Sequence, residues 1–292
     1  MTLSPHPRLS LNQATTRSLP LPEVVRVCAD AGVRGIGVWR ESLADTGLSR
    51  ARALISGSGL TVTSLCRGGF FTAPDRAGLA ATIAENRAAI DEANAIGAPE
   101  LVLVAGGLPP GSRDLPGARA QVADALDALV PYARDAGVRL AVEPLHPMFC
   151  AERAVISTLR QALSLVSDYP AADAGVCVDT YHVWWDPDFP HLLDRLAGRI
   201  ALYQVADWVV PLAADALLSR GHLGDGCIDF GQITSAVFST GYAGWAEVEI
   251  FRQDVWDAPG EQTVSRVIAD FARLVAPALP LRPDWPPPEE ST

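Results

Sequence analysis

Three carboxylates in this chain each close a short apolar run: Glu143 ends Arg139-Leu-Ala-Val-Glu143, Asp179 ends Gly175-Val-Cys-Val-Asp179, and Glu249 ends Trp245-Ala-Glu-Val-Glu249. Carboxylates gathered in one small bowl repel one another unless something positive sits between them, because like charges a few ångströms apart do not all stay ionised. A divalent cation meets that need for all three at once. The alternative is that each pairs with one of the 23 basic residues or caps a helix. Histidine follows two of the carboxylates at the same interval: His146 in Glu143-Pro-Leu-His146 and His182 in Asp179-Thr-Tyr-His182. Histidine changes charge near neutral pH, so His146 is a candidate second base. His222, beside Gly224-Asp-Gly226, has a weaker claim.

Composition narrows the chemistry. The chain has 292 residues, 49% hydrophobic and 20% charged, which supplies a full core and argues against general disorder. Every positive side chain is an arginine, since the sequence holds no lysine. Schiff-base, pyridoxal phosphate and Walker-type phosphate chemistry each need the missing amine. A formal net charge of −11 repels nucleic acid and anionic lipid, so neither is an expected partner. Five scattered cysteines without a C-x-x-C pair read as free thiols. With no signal-like start at Met1–Ser10 and no long apolar run, the expected location is cytoplasmic.

The elements that must position these residues alternate eight times between apolar strand and amphipathic helix. Expected strands are Arg8–Asn12, Ile36–Trp39, Leu60–Cys66, Leu101–Ala105, Arg139–Glu143, Gly175–Asp179, Ile200–Ala206 and Trp245–Phe251. Runs such as Leu101-Val-Leu-Val-Ala105 are apolar throughout, as parallel strands buried on both faces require. Helices such as Leu21–Ala31, Leu79–Ile96, Ala118–Ala136 and Val264–Val275 follow, and after Ile36–Trp39 a single helix ending near Gly57 or Gly59 is expected. Several stop at a glycine suited to the left-handed cap position: Gly32, Gly97, Gly137 and Gly241. The fold class is therefore α/β, a single (β/α)8 TIM barrel over residues 1–276, with a proline-rich arm at 277–292. The runner-up is a doubly wound open sheet, which lacks its glycine fingerprint here. Trp208–Phe230 is long for a loop of such a barrel, and loops of that length usually carry function.

Barrel enzymes place their working groups at the C-terminal ends of the strands. Those ends carry Asn12, Trp39, Arg67, Glu143, His146, Asp179, His182, Gln204, Trp208 and Glu249. Four segments in order, Ala141-Val-Glu-Pro144, Val178-Asp-Thr-Tyr-His182, Gly224-Asp-Gly-Cys-Ile-Asp-Phe230 and Gly241-Tyr-Ala-Gly-Trp-Ala-Glu-Val-Glu249, resemble the xylose isomerase-like superfamily. The similarity is to its small sugar epimerase, hydroxypyruvate isomerase and inosose dehydratase members, and it spans about Arg8 to Val275. It implies a metal held by Glu143, Asp179, Glu249 and the strand-seven position, where Gln204 replaces the family's histidine. An all-oxygen set of this kind favours Mn²⁺, with Mg²⁺ or Co²⁺ as further candidates.

The resemblance implies a ketose or keto-sugar bound through its carbonyl, an enediolate intermediate, and Glu143 and Glu249 as the acid–base pair. It also implies substrate contacts from His182 and Arg220. Arg67 and Arg220 could fork onto hydroxyls or a carboxylate, or form salt bridges to Glu41 or Asp225. Trp39 and Trp208 belong to an aromatic rim suited to stacking on a sugar ring or flat aglycone. Two rivals remain: a lyase, of the inosose dehydratase or C-glycoside deglycosidase kind, and a catalytically inactive sugar-binding barrel. A homo-oligomer or, for a C-glycoside lyase, a small partner subunit is a candidate assembly. The superfamily's three-zinc DNA-repair branch needs many histidines and a basic face, and this chain has neither.

Overall fold

The structure is a computed structural model that describes residues 4–280. Eight parallel strands close into a barrel: β1 (Leu9–Asn12), β2 (Gly35–Trp39), β3 (Thr61–Gly69), β4 (Glu100–Val104), β5 (Arg139–Glu143), β6 (Ala174–Asp179), β7 (Ile200–Val205) and β8 (Ala246–Val248). Each strand neighbours the next in sequence, and β8 returns to β1. The closed barrel with its helices is the architecture expected from the alternating pattern. The continuous helix expected after β2 is instead two, Arg40–Thr46 and Leu48–Ser58. Gly47, at φ 83°, separates them, a conformation that ends a helix and that glycine adopts without a Cβ penalty. At the far end, Ala276–Ala278 form a 3₁₀ turn, and residues 281–292 of the expected arm lie outside the described residues.

The chain packs as two compact units, one of residues up to 63 together with those from 203 onward, the other of residues 64–202. In the first, β8 lies between β1 and β7, with Glu247 paired in register to Ser10 on one side and to Gln204 on the other. Its helices Leu21–Asp30 and Gly260–Leu274 bury one apolar stripe each, including Val24, Val27, Val264, Val267 and Phe271. The long connection after β7 folds into an antiparallel ribbon, Asp207–Trp208 against Arg220–Gly221. Helix Phe230–Ser239 follows it, capped by Asp229.

The second unit holds β4, β5 and β6 in continuous register, with Leu101 beside Leu140 and Leu140 beside Ala174. These strands are buried nearly end to end, and each fully sequestered Leu or Val contributes roughly 1.5–3 kcal/mol relative to exposure. The helices Arg76–Ile96 and Leu115–Asp135 pack over them, capped at their starts by Asp75 and Asp114. Apolar strands thus deliver polar groups only where they end, and that is where Glu143 and Asp179 stand.

Candidate metal centre

Glu143 is the last residue of β5 and Asp179 the last of β6; both are buried, at 5% and 0% exposure. One carboxylate oxygen of each and one ring nitrogen of His182 lie within 4.8 Å of one another. Ligands at about 2.0–2.3 Å from one ion stand at most about 4.6 Å apart, so the spread is close to what a single cation tolerates. Asp179 divides its carboxylate: Oδ1 accepts from the backbone N–H of Tyr181, which starts the helical turn Thr180–Val183.

That turn carries His182 back toward the strand ends. His182 is 1% exposed, edge-on to Phe149 and Tyr181 with ring centroids 5.7 and 5.3 Å away. Its Nδ1 accepts the backbone N–H of His146 at 3.2 Å. A neutral imidazole with Nδ1 accepting carries its proton on Nε2. Nε2 lies 3.9 Å from Glu143 Oε1 and 4.0 Å from Asp179 Oδ2. His182 is therefore set as a proton-bearing edge facing two carboxylates, which suits donation to a substrate oxygen better than ligation through that nitrogen.

His146 is half-buried against Trp185, and burial lowers its pKa. Its Nδ1 accepts from the Met148 N–H at 3.2 Å, so its neutral ring also carries the proton on Nε2. A role as base would require that bond to open.

In the other unit, Glu249 follows β8 and is 4% exposed. Arg220, itself 2% exposed, places Nη1 3.2 Å from Glu249 Oε2 and donates to the Glu249 carbonyl at 3.2 Å. Phe251 covers that guanidinium at 5.0 Å. The ion-pair partner observed for Arg220 is Glu249. Asp225 is held by Arg266 instead.

Gln204, at the strand-seven position, donates Nε2 to Glu247 Oε1 at 3.0 Å. Asn12 donates Nδ2 to the same oxygen at 2.7 Å, while its own Oδ1 accepts from Trp39 Nε1 at 2.7 Å. Asn12 and Trp39 are thereby joined to a buried carboxylate that the sequence reading did not single out. The signal was present: Glu247 and Glu249 are two apart in an extended strand, which puts them on one face. Trp39 also packs edge-on to Phe251, 5.5 Å between centroids. The Arg67 guanidinium lies 4.4 Å over the exposed ring of Phe70.

The Gly224-Asp-Gly226 motif has a structural purpose. Asp207 accepts from the backbone N–H groups of Trp208, Gly224, Gly226 and Ile228, and so ties the long connection to the end of the ribbon. Trp208, 7% exposed, is part of that packing. His222 is buried nearby, and burial and Arg266 both lower its pKa.

Residues 25–272 match the family described as the xylose isomerase-like TIM barrel. A protein of Sinorhizobium meliloti 1021 with a crystal structure is 42% identical, with a TM-score of 0.89 over 92% of this chain and 98% of its own. The IolI protein, crystallised with a bound zinc atom, is 21% identical, with a TM-score of 0.82 over 94% of this chain and 100% of its own. An L-ribulose 3-epimerase is also 21% identical, with a TM-score of 0.75 over 94% of this chain and 96% of its own. The latter two share the fold. No described helix is long and apolar enough to cross a membrane. By the span of the family match and the 42% relative, this chain belongs to the xylose isomerase-like TIM-barrel family.

Proposed function

We propose that this protein is a divalent-cation-dependent isomerase or epimerase of a sugar or keto-sugar, working by removal of the proton next to a carbonyl. The convergence of Glu143, Asp179 and His182 within 4.8 Å carries the reading. Two buried carboxylates and an imidazole nitrogen brought this close are a donor set that fits a cation. Glu143 and Asp179 would hold the ion, with Gln204 and Glu249 as the further oxygen ligands that the family resemblance implies. Such hard donors favour Mn²⁺ or Mg²⁺. When bound, the ion would supply positive charge at the substrate carbonyl and so acidify the neighbouring C–H.

The chain's own groups do the rest. Glu143 and Glu249 take and return the proton. Arg220 fixes the Glu249 carboxylate against rotation, since it grips both that side chain and its backbone carbonyl. His182 directs Nε2–H toward a substrate oxygen. The family's epimerase fold relatives support the sugar class.

The test has two parts. Purified protein incubated with Mn²⁺ should hold about one ion per chain, and Glu143→Ala should lose it. Keto-sugars incubated in D₂O should then gain deuterium beside the carbonyl, and Glu143→Gln and Glu249→Gln should each stop the exchange without unfolding the barrel. Full exchange in either variant overturns the acid–base roles. No ion even after incubation moves the sugar-binding reading to the front, and loss of a leaving group in place of exchange identifies a lyase.

A further inference from the structure

We propose that the cavity between the connections following β7 and β8 binds the phosphate group of a small molecule, held by Arg252, Arg266 and His222. The proposal goes beyond the isomerase reading and does not rest on it. Every residue involved belongs to the first of the two compact units.

The cavity has a volume of about 210 Å³. His222 and Asp225 line it from the connection after β7, and Arg252, Asp254 and Arg266 from the chain after β8. At about 30 Å³ for each water that is room for roughly seven, enough for a hydrated anion or the charged end of a larger molecule. Barrels of this class frequently seat phosphate among the loops after strands seven and eight.

The two guanidiniums are held at one edge and open at another. Arg252 donates Nε to Asp254 Oδ1 at 2.6 Å, and neither its Nη1 nor its Nη2 meets an acceptor among the described residues. Its fork reaches across to the other connection, since a Cβ added at Gly221 would stand 3.6 Å from Arg252 Nη1. Arg266 donates Nε to Asp270 Oδ2 at 3.3 Å and Nη2 to Asp225 Oδ1, and its Nη1 has no acceptor among the described residues. Arginine carries five N–H donors in a fixed plane. The acids therefore orient the two forks without exhausting them.

His222 is an independent pointer to a ligand. It lines the cavity at 5% exposure, and its ring makes no hydrogen bond to another described residue. Burying a polar ring without a partner is costly, so a ligand that bonds to it recovers what the fold leaves unmet. Burial, and then the Arg266 guanidinium, lower its pKa, so at neutral pH the ring is uncharged and one nitrogen carries a proton to donate. A phosphate group presents three terminal oxygens, which donors from two arginines and an imidazole can share. A carboxylate has two, in one plane, and would occupy a single fork.

The experiment is calorimetric titration of the full-length, metal-stripped protein with inorganic phosphate, so that no cation can hold the anion. The parent should bind one phosphate per chain. Arg252→Gln should weaken binding about 10- to 100-fold, the loss expected of hydrogen bonds to a charged group. Its pair with the exposed Asp254 contributes little to stability, so this variant keeps the fold. His222→Phe, which retains a ring, should weaken binding comparably; should it fail to fold, Arg266→Gln, at an exposed position, must show the same loss. Competition identifies the source of the group. A hexose phosphate that displaces inorganic phosphate at least about tenfold more effectively, while the bare hexose does not displace it, assigns the site to a sugar phosphate. Equal displacement by the two phosphates assigns it to the free anion. No phosphate bound by the parent up to about 10 mM, or equal affinity in the parent, Arg252→Gln and Arg266→Gln, overturns the proposal and leaves the cation reading untouched.

Discussion

Arg220 and Glu249 form a buried ion pair, 3.2 Å from Nη1 to Oε2, in which both side chains are at least nine-tenths sequestered. Taking two charges out of water is costly, and the pair repays it only while both members are present. Replacement of Arg220 by Leu takes this guanidinium away from the buried Glu249 carboxylate. The expected loss is about 3–5 kcal/mol of unfolding free energy. On the cation reading, saturating Mn²⁺ restores part of that loss by supplying a second positive charge, and it stabilises the parent less. Chemical denaturation of both proteins with and without Mn²⁺ measures the difference; equal stabilisation of the two denies Glu249 a place at the ion.

Gly37 is expected to tolerate no side chain. Its β2 backbone passes so near Glu247 that an added Cβ would lie 2.7 Å from the carboxylate carbon and both oxygens. Those oxygens already hold Asn12, Thr63 and Gln204, so the carboxylate cannot retreat without breaking hydrogen bonds. Gly37→Ala should therefore cost about 1–3 kcal/mol, the usual range for overpacking a full interior. Urea unfolding reads this directly. A neutral Gly37→Ala would mean that Glu247 is free to move.

The eight strands are legible in the sequence because parallel strands covered on both faces are apolar almost without interruption, and Arg139–Glu143 was bounded to the residue. Glu143 and Asp179 are legible for the same reason, as the first charges after such runs. The interior cluster around Glu247 was harder to see. Its partners come from Asn12, Thr63 and Gln204, on three different strands, and no local pattern links residues 184 and 235 positions apart. Arg220 stands out in the sequence but its pairing with Glu249 does not, since Glu249 is 29 residues away and Asp225 lies much nearer along the chain. The ribbon inside the long connection was missed because its strands, Asp207–Trp208 and Arg220–Gly221, are two residues each, too short for any periodicity.

Asp207 ought to behave as the anchor of that connection. Four backbone N–H groups, from Trp208, Gly224, Gly226 and Ile228, end on its two oxygens. Hydrogen bonds to a charged group contribute about 1.5–3 kcal/mol each in isolation, and shared acceptors contribute less than their sum. Asp207→Ala should raise amide hydrogen exchange at Gly224, Gly226 and Ile228 by at least about tenfold, with the β4–β6 amides unchanged. Gly226→Ala should do the same by another route, since its Cβ would meet the Trp208 carbonyl oxygen at 2.1 Å. Undisturbed exchange in both variants would show that the connection is held by its apolar contacts alone.

A pH effect is expected at the N-terminal end of β4. Glu100 opens that strand with its side chain 15% exposed, and burial pushes its pKa up to about 8 from 4.5, the Arg139 guanidinium at 4.0 Å offsetting only part of the rise. Arg139 is also occupied by the carbonyls of Ile200 and Gly198. With the folded value above the unfolded one, the native state binds the extra proton between those two values. Glu100 then contributes stability that is fully present below about 4.5 and is lost as pH rises toward about 8. Glu100→Gln removes the titration and keeps the shape, so its unfolding free energy should exceed the parent's by up to a few kcal/mol at pH 8.5 and match it near pH 4.5. Denaturation midpoints for both proteins across that range give the result. Parallel curves, with no convergence toward acid, would mean that Glu100 stays ionised in the native protein.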